Sequence, residues 1–273
     1  MDRVFRLLVS ALLAAVTAVP VAAQSREPFQ DPVSARLIPG WDLPDGRHVA
    51  GLELTLAPGW KTYWRAPGDA GIPPSFDWSR ARNVDEVEVS WPTPEIHWQY
   101  GMRSIGYDGR VVIPLTVQPR RAGRDIRLRG RMHLGVCSDV CMPHALDING
   151  ALAPGNTAPV PTIASALAAV PYSAAEAGVR AATCTLSPTS RGLQLEARVA
   201  LPSTGRDEIA VIEPNLSEVW VSEAKTRRTG EWLIATSELI HQRGAPFALN
   251  RGAVTITVLG GSYAVEINGC TAG

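Results

Sequence analysis

Ile126-Arg127-Leu128-Arg129-Gly130-Arg131-Met132-His133-Leu134-Gly135-Val136-Cys137 alternates between apolar and polar residues. Ile126, Leu128, Met132, Leu134 and Val136 share one parity, while Arg127, Arg129, Arg131 and His133 share the other. A period of two with one apolar face marks a half-buried antiparallel strand. The same rhythm lies upstream. Leu52, Leu54 and Leu56 alternate with Glu53 and Thr55, and Val87, Val89 and Trp91 alternate with Glu88 and Ser90. Pro44-Asp45-Gly46, Ala57-Pro58-Gly59, Pro67-Gly68-Asp69 and Asp108-Gly109 supply turns between such runs. Short strands at this spacing predict a β-sandwich over 27–152.

Downstream the pattern breaks and then resumes. Pro154-Gly155-Asn156, Pro159 and Pro161 read as linker. Ala-rich Ile163–Val170 predicts a short helix stopped by Pro171, with a second helical turn over Ser173–Ala177 ended by Gly178. Beyond Arg180, Leu193, Leu195, Ala197, Val199 and Leu201 share one parity, and Val254, Ile256 and Val258 alternate with Thr255 and Thr257. The expected fold is all-β: two immunoglobulin-like sandwiches, 27–152 and 180–273, joined by a helical linker over 153–179.

The 273 residues carry a formal net charge of zero, which argues against a nucleic-acid partner, since that needs a basic face. Residues 1–23 read as a cleaved secretory leader: Arg3 and Arg6, an apolar run from Leu7 to Val19, then Pro20 and the small residues Val21-Ala22-Ala23. No later segment reaches the ~18 apolar residues of a membrane span. The mature chain is therefore expected outside the cytoplasm, in the periplasm if the source is Gram-negative. Gly-x-Ser-x-Gly, phosphate-loop and His-Glu-x-x-His motifs are missing. Glu86 and Glu88 look like solvated edge charges.

Four cysteines in an exported chain point to disulfides. Bridging Cys184 to Cys270 closes a loop of 87 residues (184 through 270), for which the chain-entropy model gives ~4.6 kcal/mol. Cys137 and Cys141 close only five residues (137 through 141), giving ~2 kcal/mol. The long loop suits a structural bridge. The close pair, in Gly135-Val136-Cys137-Ser138-Asp139-Val140-Cys141-Met142-Pro143-His144, suits either thiol–disulfide exchange, where one thiolate attacks and its neighbour resolves, or a small structural clip. Spacing leaves both open. His133 and His144 are near enough in sequence to favour a thiolate, although the parity of His133 puts it in solvent, and Asp139 opposes a thiolate if its carboxylate is close. Trp60, Tyr63, Trp64, Trp78 and Trp91 read as core. Trp98 and Tyr100 lie in an irregular polar stretch.

Gly59-Trp60-Lys61-Thr62-Tyr63-Trp64-Arg65, Pro73-Pro74-Ser75-Phe76-Asp77-Trp78, Trp91-Pro92, Tyr100-Gly101, Val111–Val117 and the Cys137/Cys141 segment ending in Met142-Pro143 resemble, in order, the amino-terminal periplasmic domain of the DsbD disulfide reductases. The resemblance is strongest to the suppressor-of-copper-sensitivity type. It spans most of 40–150, with the second sandwich matching more weakly. It implies an immunoglobulin-like domain whose Cys137/Cys141 pair is reduced by a membrane-embedded thiol reductase and reduces periplasmic thioredoxin-fold proteins, as a protein-disulfide reductase without cofactor. By the same analogy Cys141 is the nucleophile, and His97, Trp98, Gln99, Tyr100 and Gly101 form a cap loop over the pair. Two departures stand out: only three residues separate the cysteines, and the chain stops at Gly273 without the membrane and thioredoxin-like domains, so the reductant is expected to be a separate polypeptide.

Two other readings compete. Cys137, Cys141, Met142 and His144, with Met132 and His133, form a local set of soft and imidazole donors that suits Cu(I) when the thiols are reduced. A periplasmic adaptor with two structural disulfides is the third.

Overall fold

The computed structural model describes residues 31–68, 71–99 and 101–273, the side chain of Gln99 excepted. The leader expected at 1–23 lies outside the described residues. Ten strands build the first sandwich: β1 (Val33–Asp42), β2 (His48–Leu56), β3 (Lys61–Tyr63), β4 (Ser75–Asp77), β5 (Glu86–Val89), β6 (Glu95–Gln99), β7 (Met102–Asp108), β8 (Arg110–Gln118), β9 (Ile126–Cys137) and β10 (Cys141–Leu152). One sheet runs β1-β2-β8-β5; the other runs β10-β9-β3-β7-β6, with β4 paired to β9.

Alternation explains most of this burial. Along β9 the apolar parity is buried and the arginine parity exposed as far as Leu134. Leu52, Leu54, Ile113 and Leu115 from one sheet meet Trp64, Ile105, Leu128 and Leu134 from the other in a single core. Trp64 is fully buried, whereas Trp60 and Trp78 are only partly so. Each fully buried side chain of this size contributes about 1.5–3 kcal/mol.

Glu53 corrects the simple reading. Its parity predicts solvent, yet it is 7% exposed. β2 is a central strand, and Arg36 on β1 binds the Glu53 carboxylate at 2.7 Å while Arg110 on β8 lies at 3.7 Å. The arginine stems cover the carboxylate while their charged heads neutralise it.

The helix α1 (Pro161–Ala168) starts two residues before the expected Ile163, with Pro at its first turn, where a missing N–H costs nothing. Ile163 is fully buried among Ile38, Trp41, Val49 and Val112. A Cβ on Gly51 would lie 2.9 Å from Ile163 Cγ1, so a glycine in β2 lets the helix dock.

The second sandwich holds β11 (Tyr172–Ser173), β12 (Ala181–Pro188), β13 (Leu193–Ala200), β14 (Ile209–Glu213), β15 (Val219–Val221), β16 (Lys225–Thr229), β17 (Trp232–His241), β18 (Thr255–Leu259), β19 (Ala264–Asn268) and β20 (Thr271–Ala272). Its sheets run β11-β19-β18-β14 and β15-β17-β13-β12-β20, with β16 on β17. The architecture is all-β and immunoglobulin-like with one short α-helix.

The sandwiches pack directly on each other. Leu259 and Ala264 are buried in the first core, and Ile209 and Val211 lie against it. Arg65, stacked 4.4 Å over the Trp64 ring, reaches across to Glu213 at 3.0 Å and Glu266 at 2.6 Å. Asp31–Gly273 forms one compact unit.

Candidate functional site

β9 ends on Cys137 and β10 begins on Cys141, and the two are register partners across the hairpin. Ser138, Asp139 and Val140 make the connection, with the Ser138 N–H donating to Val140 O at 3.3 Å. Directly paired residues on adjacent strands sit on one face of the sheet. The Cα atoms are 4.0 Å apart and the sulfurs are bonded.

The burial rhythm of β9 changes just before the pair. Gly135, Val136 and Cys137 are all buried. Cys137 has the parity of Arg131 and His133, so it lies on the outer face of its sheet rather than in the core between sheets. That face is covered here. A Cβ on Gly135 would lie 2.7 Å from Tyr63 Cδ2 and 2.8 Å from Ile72 Cβ, and one on Gly71 would lie 2.9 Å from Tyr63 Cδ1. Two glycines thus leave a slot for the Tyr63 ring. Register fixes β3 beside it, with Lys61 opposite Cys137 and Thr62 opposite Val136, and the Thr62 hydroxyl donates to Gly135 O at 2.8 Å.

From this slot the Tyr63 hydroxyl donates to Cys141 Sγ at 3.2 Å. Tyr63 is 3% exposed, and burial pushes its phenol above the ordinary range, so it stays a donor. A hydrogen bond to a thiolate stabilises the charged form. The two residues differ in access: Cys137 is 4% exposed, whereas Cys141 is exposed. An exposed cysteine with a fixed donor on its sulfur, backed by a buried partner, suits a nucleophile and its resolving thiol. Tyr63→Phe is therefore expected to raise the pKa of the reduced Cys141 thiol by about one unit while the fold is kept. The pH dependence of alkylation at Cys141 measures it; an unchanged profile means that the hydroxyl plays no part.

The other sequence candidates fall in different places. His133 is exposed and pairs with Ala145 and Ser75; four residues from Cys137, it is about 13 Å along the strand. Asp139 is exposed in the turn. Met142 and His144 are half-buried and have the opposite parity to Cys141, so they face the other side of β10. Met142 packs against the core, and Met132 is 1% exposed within it. The donors of the Cu(I) reading, Cys137, Cys141, Met142 and His144, are not gathered on one face.

The reading of the stretch around Trp98 as irregular needs correction. Tyr100 and the Gln99 side chain lie outside the described residues. The rest is not irregular: β6 pairs with β7, His97 opposite Ser104 and Trp98 opposite Arg103. Half-buried Ile96 lies opposite Ile105, which is 1% exposed. That apolar pair anchors a hairpin whose far end exposes Trp98 and Met102, and Gly101 takes φ +77°, a conformation that favours glycine. Trp98 is 67% exposed.

His97 sits beside a cavity of about 430 Å³ lined also by Trp60, Lys61 and Asp108. Its Nε2 is buried without a hydrogen-bond partner. Burial first, then Lys61, pulls its pKa down, against Asp108 and Glu95. Ligand atoms of Glu95, His97 and Asp108 lie within 4.8 Å of one another. Asp108 is the register partner of Lys61, and Lys61 of Cys137, so the row Cys141, Cys137, Lys61, Asp108 crosses four strands.

The second bridge has another setting. Cys184 on β12 is fully buried, Cys270 is 9% exposed, and both belong to the core of the second sandwich. They are bonded with Cα atoms 5.7 Å apart.

Sequence reasoning missed two features. Tyr63 was legible as core, but its hydroxyl reaches a sulfur; the signal was Gly135, two residues before Cys137. Val140, 65% exposed at the turn, puts an apolar side chain in solvent beside Cys141.

Fold and site together define a β-sandwich thiol–disulfide exchange module. Residues 29–149 match the model of the family described as the thiol:disulfide interchange protein DsbD, N-terminal, so the first sandwich is a domain of that type. The crystal structure of the N-terminal periplasmic domain of ScsB from Proteus mirabilis shares the fold, with a TM-score of 0.68 and 24% identity over 90% of this chain and 96% of that one. No curated protein matches the sequence. No helix among the described residues is long and apolar enough to cross a membrane.

Proposed function

We propose that this chain is a periplasmic electron relay: Cys137 and Cys141 take electrons from a membrane-embedded thiol reductase and pass them to periplasmic thioredoxin-fold proteins. The observation that carries the reading is the unequal pair, an exposed Cys141 whose sulfur accepts from the Tyr63 hydroxyl and a buried Cys137. The family match over 29–149 supports it.

The chemistry needs no cofactor. The Cys141 thiolate attacks one sulfur of the partner's disulfide, and the partner's other sulfur leaves as a thiolate. Cys137, as thiolate, then attacks Cys141 Sγ in the mixed disulfide and expels the partner's first sulfur. Two electrons reach the partner, and the Cys137–Cys141 bond forms. Recharging reverses the order: a reductase thiolate attacks Cys141 Sγ, Cys137 leaves, and the reductase's second thiol resolves the mixed disulfide. In this reading 1–23 is a cleaved leader, 27–152 the redox domain, 153–179 the linker and 180–273 a companion sandwich tied by Cys184–Cys270. His97, Trp98, Gln99, Tyr100 and Gly101 cap the pair until a partner docks.

The test removes the resolving thiol. Cys137→Ala is expected to accumulate a mixed disulfide through Cys141 with a thioredoxin-fold protein, visible on non-reducing gels and identified by mass spectrometry. A Cys137→Ala chain that traps no such partner, alongside native protein whose Cys137–Cys141 bond resists reduction, defeats the reading.

A further inference from the structure

A larger cavity, about 650 Å³, opens between the two sandwiches. Arg65, Pro67, Gly68 and Arg103 form one wall, and β15 with the turn before it forms the other. Three observations at this cleft are unaccounted for by the exchange site.

Arg103 is 8% exposed. Its NH2 lies 3.3 Å from the Glu223 carboxylate, and its Nε is buried without a hydrogen-bond partner. A guanidinium has five donors, and a buried charge left short of acceptors is costly. Glu223 already offsets the charge, so the acceptor that fits is a neutral one.

β15 is an end strand of its sheet, and β14, which also lines the cleft, is an end strand of the other. The Gln242 N–H donates to Glu218 O and the Ser222 N–H donates to Glu238 O, so Glu218, Trp220 and Ser222 turn their main chain toward β17. By the alternation of an antiparallel ladder, the N–H and C=O of Val221 point to the outer edge, as does the C=O of Val219. Such an edge is a template for an added strand.

Trp220 and Leu216, exposed at 40% and 36%, give the same cleft an apolar wall.

We propose that this cleft takes an extended peptide segment of a polypeptide partner, which adds as a strand to the outer edge of β15 and sets a main-chain carbonyl on Arg103. Alternate side chains of that segment meet Trp220 and Leu216. The inference stands apart from the exchange reading: it uses neither cysteine pair and survives if Cys137–Cys141 is a mere clip.

The probe is a library of acetylated, amidated pentapeptides with Val, Ile, Phe or Tyr alternating with Thr, titrated into the full chain and read by the Val221 amide and Trp220 indole resonances. Selected peptides are expected to move both signals. Val221→Pro removes the outward N–H but no bond to β17, a substitution that edge strands accept. It is expected to weaken binding about tenfold, as is Arg103→Gln; Val221→Ala keeps it. If Arg103→Gln unfolds, the Val221 pair decides alone. The proposal is overturned if no peptide moves either signal, if Val221→Pro binds as well as Val221→Ala, or if acetate or N-acetylglycine amide moves the same resonances as effectively as the peptides, which would make the cleft a small-acceptor site.

Discussion

The double variant Cys184→Ala/Cys270→Ala is expected to lose about 4–5 kcal/mol of unfolding free energy. The bond spans a sequence separation of 86, and closing a loop of that length restrains the unfolded chain by ~4.6 kcal/mol in the entropy model. Both sulfurs lie in the second core, so their removal also leaves space that the packing does not refill. For a chain of this size the change corresponds to a fall in Tm of about 10–15 °C. Urea unfolding of the double variant measures it without a stray thiol. A loss below about 1 kcal/mol would contradict the structural role.

Cys141→Ala is expected to take exchange activity to background, a drop of at least about three orders of magnitude, while stability changes by about 2 kcal/mol or less. The short loop restrains little, and the Cys141 side chain is exposed, so little packing is lost. The buried Cys137 left behind has no free path to a partner sulfur. Reduction of a thioredoxin-fold disulfide by the reduced variant is the assay. Activity retained in Cys141→Ala and lost in Cys137→Ala would reverse the assignment of nucleophile and resolving thiol.

The contrast between these two bridges shows how far the sequence could be read. Loop length alone separates a bridge closing 87 residues from one closing five, and Cys184–Cys270 and Cys137–Cys141 are in fact the bonded pairs. The period-two runs of β9 and β13 give strand and face together, because alternation reports which side meets the core. It does not report what covers the other side. Glu53 shares the polar parity of β2 and is buried because Arg36 and Arg110 arrive from neighbouring strands. Gly135 shares the polar parity of β9 and is buried because Tyr63 and Ile72 lie over it, and Cys137, on the same parity, is buried as well. The β6 strand was legible in principle, since Ile96, Trp98 and Tyr100 alternate with Glu95, His97 and Gln99, but only Ile96 finds a buried apolar side chain across the pair, Ile105, and the exposed Trp98 makes the run look irregular. The contact between sandwiches was hidden, since Arg65 and Glu213 are 148 residues apart and nothing local announces that pairing.

Equilibrating folded, oxidised protein against glutathione buffers of decreasing potential, then alkylating and mapping the modified thiols by mass spectrometry, bears most directly on the central claim. The expected result is two labelled residues, Cys137 and Cys141, at potentials where Cys184 and Cys270 stay joined and the near-ultraviolet spectrum stays native. Simultaneous opening of both bridges, or no opening until the chain unfolds, would contradict it.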